Sequence, residues 1–101
     1  MLLIVWYFLC MAFEWDQNKN QNNKKFHNIS FDEAQYAFLD SKRIIYKDIK
    51  HSIYEERFFC IGKIENGIAT VRFTMRKQNI RIFGAGYWRE GRKLYETKNK
   101  I

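Results

Sequence analysis

The sequence predicts an α+β domain with two N-terminal helices, a four-stranded antiparallel sheet and a C-terminal helix. Its 101 residues are 47% apolar, which allows one small hydrophobic core and leaves no room for a second. Helix signals come first, and four β-rich runs then follow one another without a helix between them. Asn66-Gly67, a strong hairpin signal, joins two of these runs. Such segregation of helices and strands is typical of the α+β class.

Two helix start signals precede the sheet. Asp16 is a predicted N-cap for a polar surface helix that runs toward His27. The Asn- and Lys-rich sequence of this helix is too polar to contribute to a hydrophobic core. Ser30 is a second N-cap, followed by two acidic residues and an apolar stripe of helical period. This pattern predicts a helix over residues 31–39.

The predicted strands are Arg43–Tyr46, Arg57–Lys63, Ile68–Arg76 and Asn79–Ala85. In the third run, apolar residues alternate with Thr and Arg, as in a strand buried on one face only. From Trp88 the sequence WREGRKLYETKNK returns to helix-forming residues, which predicts the last helix.

The N-terminus is an apolar run of thirteen residues, Met1 to Phe13. It is shorter than the roughly 20 residues of a membrane-spanning helix, and it lacks the flanking signals of a secretory leader. We therefore expect translation to start at Met11, with residues 1–10 an upstream-start extension and residues 11–101 one domain. The expected location is cytoplasmic, without membrane contact. The alternative is a membrane-associating segment beside a basic C-terminal third.

The net charge of +7 arises in the last third of the chain. Residues 1–70 carry nine basic and nine acidic side chains, whereas residues 71–101 carry nine basic and two acidic ones. A basic balance favours polyanionic partners such as RNA, DNA or an acidic protein. Arg72, Arg76 and Arg81 are predicted to share one face of the last hairpin, with few carboxylates nearby. Such a face suits phosphate contacts, and a solubilising surface is the alternative.

Chemistry beyond the arginines is confined to one segment. His51 and Ser52, followed by Glu55, Glu56 and Arg57, form either a catalytic edge or a salt-bridged loop. The sequence has no Walker loop, dinucleotide fingerprint, CxxC or HExxH motif, so we expect neither a metal nor a cofactor. Cys10 and Cys60 are expected to be free thiols.

Several spaced motifs closely resemble the BrnT family of type II toxins over residues 11–97. They are Phe13-Glu14-Trp15-Asp16, Lys19, Asn23, His27, Phe31-Asp32-Glu33-Ala34, Asp48, His51-Ser52, Glu55-Glu56-Arg57-Phe58, Ile61-Gly62, Arg76 and Ile80-Arg81-Ile82. The resemblance implies a small ribonuclease toxin with a RelE-like fold that inhibits translation. It also implies a hetero-oligomer with a BrnA-like ribbon-helix-helix antitoxin. The toxin would then contact DNA only indirectly, through the antitoxin.

The resemblance implies a metal-independent attack of an RNA 2′-hydroxyl on its own phosphate. Arg76 and Arg81 would hold the phosphate, and His51 or Glu56 would transfer a proton. The predicted RNA-binding residues are Arg57, Arg72, Phe83, Tyr87 and Arg89.

Two departures from the family pattern support a second hypothesis. Gly84-Ala85-Gly86 replaces a common Ser-Ala-Arg, so one arginine is missing and Arg89 is the candidate substitute. Phe26 stands where a lysine often precedes the histidine. The alternative function is therefore a catalytically silent module that binds RNA or the antitoxin.

Overall fold

The computed structural model describes residues 12–101, so the predicted extension at residues 1–10 and Cys10 lie outside the described residues. The strands are β1 (Phe13–Glu14), β2 (Ile44–Lys47), β3 (Arg57–Ile64), β4 (Gly67–Arg76) and β5 (Asn79–Gly86). The α-helices are α1 (Gln17–His27), α2 (Phe31–Ala34) and α3 (Arg89–Asn99), with 3-10 segments at Gln35–Leu39 and Ile49–His51. The predicted α+β class is confirmed.

The strands form one mixed sheet in the order β1-β5-β4-β3-β2. All four predicted strands are present and pair with one another in antiparallel orientation, as expected. The prediction of four strands was incomplete, because β1 adds a fifth that pairs parallel with β5, with Phe13 opposite Ile80 and Glu14 opposite Arg81. Two residues are too few to show a strand period, and contacts distant in sequence determine this pairing.

Helix α1 begins where predicted but is attached to the sheet by polar side chains. Asp16 accepts a hydrogen bond from the Lys19 backbone N–H at 3.0 Å, which is the N-cap contact. Asn23 is buried, and its Nδ2 donates to the carbonyl oxygens of Ile29 at 2.8 Å and Ala85 at 2.9 Å. Its Oδ1 accepts from the Ala85 N–H at 3.3 Å. The Asn-rich helix therefore contributes buried hydrogen bonds instead of apolar contacts.

The second predicted helix is only partly α-helical. Ser30 and Glu33 form a complete capping box, as the sequence indicated. The α-helix ends at Ala34, and the chain continues as a 3-10 segment to Leu39. This segment lies directly on β3, where the Cβ of any other residue at Gly62 would collide with the Ala37 carbonyl oxygen. The prediction of one regular helix over 31–39 was therefore wrong in its second half.

The hydrophobic core fills the space between the N-terminal helices and one face of the sheet. Phe31 and Phe38 are fully buried against core strand residues such as Val71 and Ile82. The predicted alternation in β4 holds for its apolar positions up to Phe73, whereas Met75 is 37% exposed. Cys60 is a buried free thiol, as expected, and burial raises its pKa.

Helix α3 covers only one end of the opposite face. Gly91 lies so close to Thr70 of β4 that a Cβ there would collide with the Thr70 hydroxyl. The Tyr95 hydroxyl donates to Asp40 Oδ2 at 2.6 Å, which fixes the helix to the loop before β2. No other element between residues 12 and 101 covers the rest of this face, and the arginines lie there. None of the helices between residues 12 and 101 has the length and apolar character that a membrane crossing requires.

Candidate functional site

The uncovered face carries four arginines on three adjacent strands. Arg57 of β3, Thr74 of β4 and Arg81 of β5 are aligned across the sheet by direct strand pairing. Arg72 and Arg76 lie two positions to either side of Thr74, so they project from the same face. The predicted sharing of one face by Arg72, Arg76 and Arg81 is confirmed, and Arg57 joins them. Together with Phe83 these four arginines are called the arginine face.

A β-bulge places Phe83 in the middle of this face. The register passes from Arg72 opposite Gly84 to Phe73 opposite Ile82, which leaves Phe83 as the extra residue. The guanidinium carbons of Arg57 and Arg72 lie 4.6 Å and 5.2 Å from the Phe83 ring centroid. Cation–π contacts of this kind hold both guanidinium groups against the ring. Phe83 therefore positions two of the arginines.

Two carboxylates pair with the arginines, which corrects the expectation of few acidic neighbours. Glu55 lies 3.5 Å from Arg57 Nη2 and 3.7 Å from Arg76 Nη2. Glu14 lies 2.7 Å from Arg81 Nη1 and accepts a hydrogen bond from Asn79 at 3.0 Å. The hydrogen bonds from Asn79 and Arg81 lower the pKa of Glu14. Glu14 reaches the face only because β1 pairs with β5, which the sequence did not predict.

An Asp48–His51 pair borders the arginine face. Asp48 is 8% exposed, and its Oδ2 lies 2.8 Å from His51 Nδ1 across the 3-10 segment. The Ser52 hydroxyl donates to the Asp48 carbonyl at 2.6 Å and accepts from the Arg57 backbone N–H at 2.9 Å. These bonds fix the histidine loop to the first residue of β3. The i, i+3 spacing of Asp48 and His51 was the sequence signal for this pair.

His51 lies between two depressions in the surface. The first, of about 400 Å³, is lined by Lys50, His51, Ile53, Tyr54, Glu55, Arg57 and Arg76. The second, of about 380 Å³, is lined by Tyr46, Asp48, His51, Phe59, Thr70, Arg72, Trp88, Glu90 and Gly91. Each depression contains arginine and carboxylate side chains, so His51 lies at the border of the arginine face. The second depression is called the aromatic pocket.

Three predicted site residues lie apart from this cluster. The Glu56 carboxylate pairs with Lys47 Nζ at 3.6 Å and not with His51 or an arginine. Tyr87 packs against the hydrophobic core. Arg89 is exposed at the first position of α3.

Trp88, not Tyr87, lines the aromatic pocket. A Cβ at Gly86 would lie 2.7 Å from the Trp88 ring, so the indole occupies the space next to this glycine. His27 contacts the other side of the indole, with 5.4 Å between ring centroids. The missing side chain at Gly86 was the sequence signal for a bulky neighbour.

The arrangement combines fixed positive charge with one oriented imidazole. Guanidinium groups bind phosphate oxygens in pairs, and an imidazole exchanges protons near neutral pH. Among residues 12–101, no three His, Cys, Asp or Glu side chains are grouped so that they could hold a metal ion. The guanidinium groups are suited to bind phosphate, and the His51 imidazole is suited to transfer protons.

Comparison with known proteins identifies one family. The family model described as "Ribonuclease toxin, BrnT, of type II toxin-antitoxin system" matches residues 15–91, which is more than half of the chain. This range contains the arginine face, the Asp48–His51 pair and the aromatic pocket. No curated protein matches the chain.

Proposed function

The chain belongs to the BrnT family of ribonuclease toxins of type II toxin-antitoxin systems, and from this premise we propose that it is a metal-independent endoribonuclease that inhibits translation. The observation that carries the proposal is the arginine face beside the Asp48–His51 pair. The face supplies positive charge for the RNA backbone, and the pair supplies a proton-transfer group at its border. Neither role requires a metal or an organic cofactor.

Arg76 and Arg81 are the proposed ligands of the scissile phosphate. The Arg76–Glu55 pair is long, at 3.7 Å, and partly exposed, and such pairs contribute only about 0–1 kcal/mol, so a phosphate can replace Glu55 at little cost. The Arg81–Glu14 pair is shorter, at 2.7 Å, and more buried, and a phosphate would bind there through the Arg81 N–H groups that Glu14 does not use. The hydrogen-bond donors of the neighbouring Arg57 are also not fully used. Its Nε is buried without a hydrogen-bond acceptor among the described residues.

His51 is the proposed proton-transfer residue. In the proposed reaction the 2′-hydroxyl loses its proton, the P–O2′ bond forms, and the P–O5′ bond breaks. The departing 5′-oxygen takes up a proton, which leaves a 2′,3′-cyclic phosphate and a 5′-hydroxyl. Asp48 orients the imidazole through Nδ1, and this leaves Nε2 for the reacting oxygens. Glu56, the other expected candidate, has no comparable orienting contact among the described residues, where its carboxylate makes one exposed ion pair with Lys47 at 3.6 Å.

An antitoxin is the expected protein partner, as membership of a type II toxin-antitoxin family implies. We propose a BrnA-like antitoxin with a ribbon-helix-helix domain, so that contact with DNA is indirect. An acidic segment of that partner would compete with RNA for the arginine face.

A catalytically silent binding module is the second candidate. It is favoured by Trp88, whose ring occupies the space where a side chain at Gly86 would extend. In that case the arginine face would bind RNA or the antitoxin without cleavage.

Induced expression in bacteria distinguishes the two candidates, with growth and total RNA integrity as readouts. We expect the full chain to arrest growth and fragment RNA, and the Arg76→Ala, Arg81→Ala double variant to do neither. Loss of one donor to a developing negative charge lowers the rate about 10²- to 10³-fold. The matched control is Arg92→Ala, which removes an exposed arginine of α3 that pairs with Glu96. If the soluble, folded parent leaves RNA intact, the binding module is the better account.

A further inference from the structure

The aromatic pocket differs in chemistry from the rest of the arginine face. The Tyr46 and Phe59 rings lie 5.1 Å apart at one side, and Trp88 lies at the border. Tyr46 is 37% and Trp88 39% exposed, so both offer ring surface to a ligand. The volume of about 380 Å³ lies within the range of about 300–1,000 Å³ typical of small-ligand sites. Such surfaces stack on unpaired RNA bases.

One carboxylate of the pocket has no cationic partner. Glu90 lies in the first turn of α3 and forms no ion pair with any residue that the structure describes, whereas Asp48 is occupied by His51. Burial raises the pKa of Tyr46, and the nearby Asp48 and Glu90 carboxylates raise it further. Glu90 lines the same pocket as Tyr46, Phe59 and Trp88, which places its carboxylate beside the aromatic rings. A free carboxylate repels phosphate and attracts hydrogen-bond donors, so the Glu90 side of the pocket suits a base, whereas Arg72 on the same pocket wall stays available to the RNA backbone.

We propose that the aromatic pocket binds one unstacked guanine of the RNA and thereby selects the cleavage site, an inference that rests on the proposed function. An ionised carboxylate only accepts hydrogen bonds, and two oxygens can accept from two neighbouring donors. Guanine presents such a pair, N1–H and the N2 amino group, on one edge. Adenine and cytosine present one amino group there, and uracil one imino group. Glu90 accepts from guanine while Tyr46 and Trp88 stack on its rings.

Binding of RNA that cannot be cleaved tests the pocket independently of catalysis. The probes are fluorescent 2′-O-methyl uridine hexamers with one central guanine, inosine or adenine, and the readout is fluorescence anisotropy. Inosine lacks only the N2 amino group of guanine. We expect the wild-type chain to bind the guanine probe roughly 5- to 150-fold more tightly than the adenine probe. Inosine should bind with intermediate affinity.

Two variants and one control assign the preference to the pocket. Glu90→Gln should lose the guanine preference, because an amide offers one donor and one acceptor where guanine needs two acceptors, and the adenine probe should bind at least as tightly. Trp88→Ala should weaken binding of the guanine probe by a similar factor through lost stacking. Glu96→Gln, on the same helix and paired with Arg92, should keep the wild-type preference. Circular dichroism confirms that each variant is folded.

The outcomes separate this inference from the proposed function. Equal affinity of the wild-type chain for the three probes, absence of binding, or a preference retained in Glu90→Gln would overturn the guanine pocket. A guanine preference without cleavage of unmodified RNA would support the pocket and refute the ribonuclease. Cleavage without a base preference would support the ribonuclease and refute the pocket.

Discussion

Replacement of Asp48 by asparagine tests whether this residue acts by positioning the His51 imidazole. The Asp48 carboxylate lies 2.8 Å from His51 Nδ1; Asp48 is only 8% exposed, but the His51 side chain is 48% exposed, so water screens the contact in part. Hydrogen bonds to charged groups contribute about 1.5–3 kcal/mol and neutral ones about 0.5–1.5 kcal/mol. The substitution should therefore remove about 1–1.5 kcal/mol, which corresponds to a roughly 5- to 13-fold lower kcat.

Steady-state cleavage of an RNA oligonucleotide is the assay. We expect an unchanged KM, because Asp48 is proposed to act on the imidazole and not on RNA. In a His51→Ala background, the same substitution should have no further effect, since the group that it positions is gone. A folded Asp48→Asn variant with wild-type kcat, or an equal loss in both backgrounds, would refute the positioning role.

Three predictions concern residues that stabilise the fold around the site. Asn23→Ala should lower the free energy of unfolding by about 2–4 kcal/mol, since it leaves buried backbone groups unpaired, whereas the exposed Asn22→Ala should leave urea unfolding nearly unchanged. Gly62→Ala should cost about 1–3 kcal/mol because its Cβ would collide with the 3-10 segment, and a wild-type unfolding midpoint would contradict this close packing. Burial raises the pKa of Asp40, but hydrogen bonds from the Tyr95 hydroxyl and two backbone N–H groups outweigh it, so the pKa is lowered overall. The ionised Asp40 carboxylate therefore stabilises the folded state fully above its unfolded-state pKa of about 3.9. This stabilisation is lost as the pH falls through the lower pKa that Asp40 has in the folded state. As the pH is lowered, the melting temperature of Asp40→Asn should fall less steeply than that of the wild-type chain. Parallel curves of melting temperature against pH for the two proteins would refute this role of Asp40.

Local signals determined most of the fold. The alternation in Ile68–Arg76 and the Asn66-Gly67 turn were sufficient to predict the central hairpin and its pairing. The caps at Asp16 and Ser30 fixed where the first two helices begin. Each of these features depends on residues close together in the chain, so it can be derived from the sequence.

Contacts between distant residues account for what the sequence did not predict. Strand β1 forms only because Phe13 and Glu14 meet β5, and no local pattern marks so short a strand. The same pairing brings Glu14 to Arg81, which explains the unexpected carboxylate on the arginine face. Asn23 is buried because its amide pairs with backbone groups of Ala85 in β5 and of Ile29 in the turn that follows α1.

In the candidate site, too, local patterns were predictable and features set by distant contacts were not. The arginines follow the strand period, so their shared face was predictable. The bulge at Phe83 changes the alternation on β5, and Trp88 takes the place beside Gly86 that the sequence analysis left open. The separation of Glu56 from His51 depends on a partner, Lys47, on another strand.

The most direct test of the central claim is the chemistry of the RNA ends formed by the purified full chain in excess EDTA. The reaction is followed by mass spectrometry of a short oligonucleotide, with the Arg76→Ala, Arg81→Ala double variant as the inactive reference. The account predicts a 2′,3′-cyclic phosphate and a 5′-hydroxyl, formed without metal and abolished when the scissile nucleotide is 2′-deoxy. Cleavage that stops in EDTA, or that yields a 3′-hydroxyl and a 5′-phosphate, would contradict it.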